Sequence, residues 1–479
     1  MGTLRTKTIH GVLWSSAERL SVQGVQFLVM ILIARQLSPS DYGLVGMLTI
    51  FTAVSDSLIN SGFSQALIRK QDRTNVDNCT VFFFNIAISL VLYAILFLIA
   101  PWVSTFYQEP QLCSVMRVLC LIIIIYSLGV VQRAVLTAKI DFKTQTKASA
   151  IAAIVSGICG VCLAYMGWGV WTLVFQQLLN AGLNTLLLWI FSHWRPNLIF
   201  SWISFKNLFA FGSKLMISGL LDTIYNNLFQ LIIGKVYSAG SLGFYSRARH
   251  FAEFPSSNLT NILQRVTYPV LCNIQDDNIK LAENYRKILK LSAFIIFPLM
   301  VGLAAVAYPL LVVFLGQKWH DAGTLLIPVC LSMMWFPIHA INLNLLQVKG
   351  RSDLFLRLEI IKKIMGLIVL AISVPLGLLA MCYGAIVSSL IALIINTHYT
   401  GKLINVGFLR QMKDLMPTII VCIVMFCGTW WFVSLVGNSI IGLVGGILIG
   451  AAIFIITTYL FHFSEMKELV MIVRKGWKK

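Results

Sequence analysis

Hydrophobic residues occur in long stretches along almost the whole chain, and short polar segments separate them. A helix needs about 20 apolar residues to cross the hydrocarbon core of a bilayer, and most of these stretches are that long. The pattern predicts an all-α polytopic membrane protein with about fourteen transmembrane helices. We place the helices at residues 10–34, 42–64, 79–101, 113–136, 147–166, 169–191, 208–234, 242–268, 288–314, 322–346, 355–375, 378–400, 415–436 and 439–462.

The distribution of Lys and Arg predicts how these helices are oriented. With the N-terminus in the cytoplasm, the cytoplasmic loops carry clusters such as residues 69–73 and 139–143. The opposite loops carry Arg35, Lys235 and Lys318. Because cytoplasmic loops are enriched in basic residues, we expect a multi-pass protein of the bacterial inner membrane with both termini in the cytoplasm.

The composition excludes several classes of protein. Of the 479 residues, 58% are hydrophobic and 11% are charged, whereas soluble domains carry about 25% charged residues. The net charge of +19 follows from the basic loops, so we expect no nucleic-acid partner. The seven His are scattered, and neither a phosphate-binding Gly-rich loop nor a His-Glu-x-x-His helix occurs. We therefore expect no enzyme active site, no metal site and no cofactor.

The chain contains an internal repeat at an offset of 200 residues. Residues 33–35 match residues 233–235, and in the same register Gly43 matches Gly243. The repeat predicts two six-helix lobes, and because each lobe has an even number of helices, the two repeats are parallel. We assign an N-lobe to residues 1–206, a C-lobe to residues 207–404, and a C-terminal helix pair with a basic tail to residues 405–479.

Polar residues form stripes along four predicted helices, the first two of each lobe. In the first helix Ser15, Arg19, Gln23 and Gln26 share one helical face. A charged side chain at the middle of a bilayer costs about 2.5–3.5 kcal/mol in insertion measurements, so we predict that the stripes face a hydrophilic cavity between the lobes. An interfacial or re-entrant position is the alternative for the very polar eighth helix. The other stripes are Thr49, Thr52, Asp56 and Asn60 in the second helix, Asp222, Asn226 and Gln230 in the seventh, and Arg249, Glu253, Ser256, Thr260 and Gln264 in the eighth.

Basic residues outnumber acidic residues inside the predicted helices, which favours an anionic ligand. The planar guanidinium of arginine matches phosphate oxygens and stays charged when it is partly desolvated. Arg19 and Arg249 are the leading candidates because they lie deepest in the predicted helices. The full set of candidate substrate-binding residues is Arg19, Gln23, Gln26, Lys214, Asn226, Arg247, Arg249 and Gln264.

Several charged residues have a second interpretation. Arg249 and Glu253 are an i, i+4 pair and can neutralise one another. The candidates for ion coupling are Asp56, Asp222 and Glu253, since a carboxylate in a poorly solvated cavity can carry a proton or a cation; they can equally be structural partners of the arginines. The basic residues near cytoplasmic helix ends, which can extend to the lipid headgroups instead, are Arg133, Arg265, Lys362 and Lys363.

Four segments carry recognisable motifs: residues 34–43, 61–67, 169–174 and 350–353. They resemble the Wzx-type polysaccharide flippases, particularly the WzxC-like branch, and the resemblance spans essentially the whole chain. It implies membership in the multidrug/oligosaccharidyl-lipid/polysaccharide exporter superfamily. It also implies a substrate, an undecaprenyl-diphosphate-linked oligosaccharide moved from the cytoplasmic to the periplasmic leaflet by alternating access. The implied partners are membrane lipids, a polysaccharide polymerase and other assembly proteins. The matching motifs are turn and packing signatures, so they assign no binding residue.

Other functions remain open at this point. A lipid II flippase and a cation-coupled drug exporter belong to the same superfamily, although a drug exporter should have an acidic and aromatic cavity. A membrane polysaccharide polymerase should carry a large periplasmic loop, and the longest predicted outer loop has about a dozen residues. A structural scaffold would leave the polar stripes unexplained.

Overall fold

The computed structural model describes residues 23–60, 62–70 and 72–468, except for the side chains at positions 211, 214, 215, 265 and 266. Throughout these ranges the regular secondary structure is helical and no strand occurs, which confirms the all-α prediction. The helices are α1 at 23–36, α2 Pro39–Asn60, α3 Phe63–Arg69, α4 Asn75–Tyr107, α5 Gln111–Leu119, α6 Leu121–Ser127, α7 Val130–Ala138, α8 Phe142–Tyr165, α9 Val170–Ser192, α10 Trp202–Val236, α11 Ala239–Cys272, α12 Asn278–Ala305, α13 Ala307–Leu315, α14 His320–Met333, α15 Phe336–Val348, α16 Ser352–Ser373, α17 Leu378–Ile404, α18 Phe408–Val436 and α19 Ile440–Leu460.

Ten helical segments of the described chain are long and apolar enough to cross a membrane, which confirms a polytopic membrane protein. Three further helices, α10, α11 and α16, have 35, 34 and 22 residues and are long enough to span. Their polar and charged residues distinguish them from the ten apolar segments. Two of them, α10 and α11, carry predicted polar stripes. With α1, of which residues 23–36 are described, these helices bring the count to the predicted fourteen.

The chain divides into two units, an N-terminal unit, Met1–Gly243, and a C-terminal unit, Phe244–Lys479. The predicted lobe boundaries at residues 206 and 404 were placed by counting helices, and they stay predictions. In the N-terminal unit α1 packs on α8, where a Cβ atom on Gly157 would lie 2.4 Å from Cγ2 of Val29. In the C-terminal unit α18 packs against both α12 and α19.

The predicted repeat is visible in the two turns that precede α2 and α11. The helices begin at Pro39 and Ala239, at the predicted offset. In the first turn the hydroxyl of Ser38 accepts a hydrogen bond from the amide of Asp41, and in the second Ser238 accepts one from the amide of Ser241. A serine that caps the first turn of a helix satisfies amides that have no partner within the helix, so both repeats start their second helix in the same way.

The two turns also contact each other, through a pair of glycines in the N-terminal unit. A Cβ atom on Gly43 would lie 1.7 Å from the carbonyl oxygen of Ala239, and one on Gly243 would lie 1.9 Å from that of Pro39. Since Pro39 and Gly43 correspond to Ala239 and Gly243 in the repeat, the contact is reciprocal, as at a two-fold interface. We call these four residues the glycine seam. Only a residue without a side chain allows such an approach of two backbones.

Several of the predicted spans are interrupted rather than continuous, including the ninth, which is divided at Val306 into α12 and α13. The fourth span is divided into α5, α6 and α7, and the tenth into α14 and α15. Gly129 lies at the last break of the fourth span, and Pro337 follows the break of the tenth. Proline has no backbone N–H, so the carbonyl of Met333, four residues earlier, has no helical partner. The hydroxyl of Ser256 donates to that carbonyl instead, at 2.8 Å.

Candidate functional site

The structure describes most of the candidate residues at separate places on α1, α2, α10 and α11. Arg19 and the side chain of Lys214 lie outside the described part of the chain. Polar side chains that stay exposed on membrane helices face water, ligand or headgroups; the roles assigned to these candidates stay predictions. The exposed candidates are Gln26, Asp56, Asp222 and Asn226, and the half-buried ones are Gln23, Arg247, Arg249, Glu253 and Gln264.

On α11 the structure brings Arg249 and Glu253 together. Nε of Arg249 lies 3.3 Å from Oε2 of Glu253, and the side chains are 22% and 47% exposed. The pair partly neutralises the arginine, as the i, i+4 spacing indicates. Ser256 and Thr260, further along the same stripe, are buried. The polar stripe of α11 is therefore divided into a half-exposed charged part and a part that packs within the C-terminal unit.

Asp56 lines a polar cavity of about 230 Å³ in the N-terminal unit, at the last break of the fourth span. Its carboxylate accepts a hydrogen bond from the amide of Asn60. Arg133 lies close enough to Asp56 to act on it electrostatically. We call this space the α9 cavity, because α9 contributes three of its residues. The lining consists of Asp56, Asn60, Tyr126, Gly129, Val130, Arg133, Asn180, Asn184 and Thr185.

Arg133 was expected to extend toward lipid headgroups from a helix end, and the structure places it on the wall of the α9 cavity instead. The reason is the break before α7, which brings this helix against α3 and α9. Asn180 and Asn184 were not among the predicted site residues. Their spacing of four residues on one helix face was the signal that could have identified them.

Side chains of α9 satisfy the carbonyl groups that the break leaves free. The hydroxyl of Thr185 donates to the carbonyl of Ile125 at 3.2 Å, and Nε1 of Trp189 donates to that of Leu128 at 2.7 Å. Unpaired backbone groups are very unfavourable in a bilayer, so a broken membrane helix needs such partners. Asn184, the residue before Thr185, also lines the cavity, but its Oδ1 atom is buried and has no hydrogen-bond partner in the described part of the chain.

The break in the tenth span has a different environment, although α17 occupies the place of α9 in its repeat. Ser389 of α17 donates to the carbonyl of Ser332 at 3.4 Å and contacts Nε2 of His339 at 2.9 Å. Nδ1 of His339 lies 3.3 Å from Nδ2 of Asn396. Both ring nitrogens of His339 thus have protein partners, whereas Oδ1 of Asn396 is buried without one in the described residues. Among the described residues, His, Cys, Asp and Glu form no cluster that could hold a metal ion.

Comparison with known proteins shows similarity to proteins of polysaccharide biosynthesis. Residues 32–324 match the family described as "Polysaccharide biosynthesis protein". The chain is 26% identical to the lipopolysaccharide biosynthesis protein WzxC of Escherichia coli (strain K12), over 82% of this chain and 80% of that protein. It is 23% identical to the teichuronic acid biosynthesis protein TuaB of Bacillus subtilis (strain 168), over 74% of each. It is also 23% identical to the succinoglycan biosynthesis transport protein ExoT of Rhizobium meliloti (strain 1021), over 98% of this chain and 97% of that protein.

Among solved structures, the fold is similar to that of transporters. The lipid II flippase MurJ, in an inward closed conformation, superimposes with a TM-score of 0.77 at 14% identity, over 96% of this chain and 100% of that one. An inward-facing multidrug resistance transporter of the MATE family gives a TM-score of 0.61 at 16% identity, over 81% of this chain and 98% of that one. At these identities the similarity shows a shared fold, and fold alone does not fix the substrate.

Proposed function

Because this chain belongs to the polysaccharide biosynthesis protein family, we propose that it is a flippase for undecaprenyl-diphosphate-linked oligosaccharides. It moves them from the cytoplasmic to the periplasmic leaflet of the bacterial inner membrane, for the synthesis of a surface polysaccharide. The observation that carries this proposal is the similarity to a polysaccharide transport protein over 98% of the chain. The relatives named for lipopolysaccharide and teichuronic acid synthesis favour a polysaccharide precursor over lipid II or a drug.

The physical requirements of this substrate agree with the molecule. A glycan and a diphosphate cannot enter hydrocarbon without losing their hydration, so the carrier must offer polar walls and positive charge. In the N-terminal unit, α1, α2 and α10 carry exposed polar residues of this kind, and in the C-terminal unit α11 carries the half-buried cations Arg247 and Arg249. The lipid tail stays in the bilayer. Alternating access of the polar path to the two sides moves the head group, and a polysaccharide polymerase takes over the product.

The function is tested in a strain that lacks this gene. We expect lipid-linked oligosaccharide to accumulate in the cytoplasmic leaflet and surface polymer to be lost, and we expect the wild-type chain to restore both. Surface polymer is measured by immunoblotting, and the leaflet of the precursor by its accessibility to a glycan oxidant that does not cross the membrane. A strain that makes normal polymer without the gene would contradict the proposal.

A charge exchange separates two roles of Arg249. We expect Arg249→Glu and Arg19→Glu to abolish polymer export while the loop control Arg73→Glu exports normally. The double variant Arg249→Glu/Glu253→Arg keeps the ion pair but reverses its direction. If Arg249 binds the diphosphate, the double variant stays inactive because the cation has moved by one helical turn. Recovered export in the double variant would show instead that the arginine serves only its partner.

A further inference from the structure

We propose that the α9 cavity binds one neutral sugar residue of the transported glycan. This inference rests on the proposed function and specifies where the carbohydrate, rather than the diphosphate, is recognised. It follows from four features of the described residues: the mixed polar lining, the balance of charge, the break in the fourth span and the size of the cavity.

The lining offers both hydrogen-bond donors and acceptors around one space. The carboxylate of Asp56 accepts, the guanidinium of Arg133 donates, and the amides of Asn180 and Asn184 do both. Each sugar hydroxyl also donates one hydrogen bond and accepts others. Tyr126 adds an aromatic ring with a polar tip, which suits a ring that is apolar on its faces and polar at its edge. This combination of groups matches a polyhydroxylated ligand.

The charges in the cavity disfavour ions of either sign. Asp56 repels a phosphate group, and Arg133 repels a metal cation, while the two act electrostatically on one another. Both line the same cavity as Tyr126. A neutral ligand with many hydroxyl groups can use both residues without leaving a net charge in a poorly solvated site.

The break in the fourth span points to a ligand independently. Discontinuous helices form the substrate sites of many membrane transporters, because irregular backbone is tolerated where it lines a cavity. At this break the buried Oδ1 atom of Asn184 has no partner in the described part of the chain. At the matching break of the C-terminal unit, His339 is bonded to Ser389 and Asn396. The Oδ1 atom of Asn396 at that second break likewise has no partner in the described part of the chain. An unpaired amide oxygen thus occurs at both breaks, and the one in the N-terminal unit belongs to a residue that lines the α9 cavity.

The size of the cavity limits what it can hold. Its volume of about 230 Å³ is below the roughly 300–1,000 Å³ of pockets that enclose drug-sized ligands. One sugar residue fits this space, whereas a whole oligosaccharide does not. The remaining sugars of the glycan must then lie outside the α9 cavity.

The test is saturation-transfer NMR on the purified full-length protein in a detergent without a sugar head group. The probes are the methyl glycosides of glucose, galactose, mannose and rhamnose. We expect at least one glycoside to bind, and Asn184→Leu and Asn180→Leu to weaken its affinity about tenfold each, equivalent to ~1.4 kcal/mol. Gln176→Leu is the matched control, since it makes the same change on α9 but lines a separate apolar pocket; we expect unchanged affinity.

Folding and alternative ligands are tested in the same samples. Thermal unfolding and gel filtration establish that each variant is folded, and Asn184→Ala replaces Asn184→Leu if the larger side chain does not fit. Two competing ligands are tested. Sodium is tested by comparing sodium chloride with choline chloride, and a diphosphate is tested with pyrophosphate. The inference is overturned if no glycoside binds, if the asparagine variants bind glycosides normally, or if sodium or pyrophosphate is the ligand lost in those variants. The proposed function is tested separately, by polymer export of the wild-type chain. The result of that test does not depend on these binding experiments.

Discussion

Glycines determine how closely the backbones approach in the N-terminal unit. Besides the glycine seam, a Cβ atom on Gly62 would lie 2.6 Å from the carbonyl oxygen of Gly212. The glycine seam joins the start of α2 to the start of α11, and Gly62, just before α3, meets α10. A backbone atom cannot move aside as a flexible side chain can. A single methyl group at either place must therefore displace a whole helix.

We predict that Gly43→Ala lowers stability by about 1–3 kcal/mol, the usual cost of overpacking a filled contact. The added Cβ atom would lie 1.7 Å from the carbonyl oxygen of Ala239. Thermal unfolding in detergent, followed by tryptophan fluorescence, measures the shift in Tm. The control is Gly182→Ala in α9, where the new Cβ atom meets nothing within 4 Å and should be neutral or stabilise by up to about 1 kcal/mol. Equal Tm values for the two variants would contradict the close contact.

Some of these residues could be identified from the sequence and others could not. The offset repeat placed Gly43 and Gly243 in equivalent turns, and the apolar surroundings of Asp56 marked it as a functional candidate. The contribution of Arg133 to the α9 cavity depends on a helix break that apolar periodicity does not reveal. Because periodicity reports which residues share a helix face but not which helices are neighbours, the amides of Asn180 and Asn184 could not be assigned to Asp56.

Helices α12 and α18 are joined by polar contacts near one end of the C-terminal unit. Arg286 of α12 donates two hydrogen bonds, each of 2.6 Å, to the carboxylate of Asp414 in α18. Nearby, the buried amides of Asn342 and Gln411 donate to each other's oxygens at 3.2 and 3.0 Å. These bonds anchor the C-terminal helix pair to α12 and α15, so that the pair is an integral part of this unit.

We predict that Asp414→Asn destabilises the protein by about 1.5–3 kcal/mol, because the side chain is only 8% exposed and charge-assisted hydrogen bonds are lost. The exposed pair of Arg351 and Asp353 provides the control. Asp353→Asn should have a much smaller effect, as solvent screens this pair. Denaturation midpoints of both variants measure the difference. If the two substitutions had the same effect, the pair of Arg286 and Asp414 would not anchor α18.

Helix existence was predictable from apolar stretches, whereas helix continuity was not. The predicted spans at 113–136 and 322–346 are broken in the structure at residues 128–129 and 334–335. Pro337 was a visible signal for the second break, but Gly129 is a weak one, since single glycines are tolerated inside helices. The close packing of α18 and α19 was easier to predict from the sequence. The spacing of Gly446 and Gly450 predicts a close helix pair, and a Cβ atom on Gly450 would lie 2.8 Å from Oγ1 of Thr429 in α18.

At the scale of the whole molecule, the chain is predicted to have fourteen spans, an even number, with basic residues concentrated in alternate connections. Some of these connections are tight turns: Gln108 has φ of 59°, and Gly350 and Gly437 have φ of 67° and 80°. Short turns and a charge bias together restrict the orientation of all helices at once. The topology can therefore be tested from a few positions.

We predict that alkaline phosphatase inserted after Gln108 or Asn438 is active and that the enzyme inserted after Asp141 or Gly350 is inactive. The reporter forms its disulfides only in the oxidising periplasm, and the basic loops should stay in the cytoplasm. Enzyme activity in whole cells, normalised to the amount of fusion protein, gives the result. An active fusion after Gly350 would reverse the proposed orientation of both termini.

The reciprocal contact of the glycine seam has a consequence for the history of the chain. If two copies of one shorter gene were joined, the ancestral polypeptide would have met a second copy of itself through a single proline and a single glycine. Any side chain added at that glycine would then have caused two clashes at once, because the glycine meets the backbone carbonyl at the other site. After fusion, the two sites became four positions that could change independently. Pro39 and Ala239 differ, and only a joined chain can carry such a difference on one side of the contact.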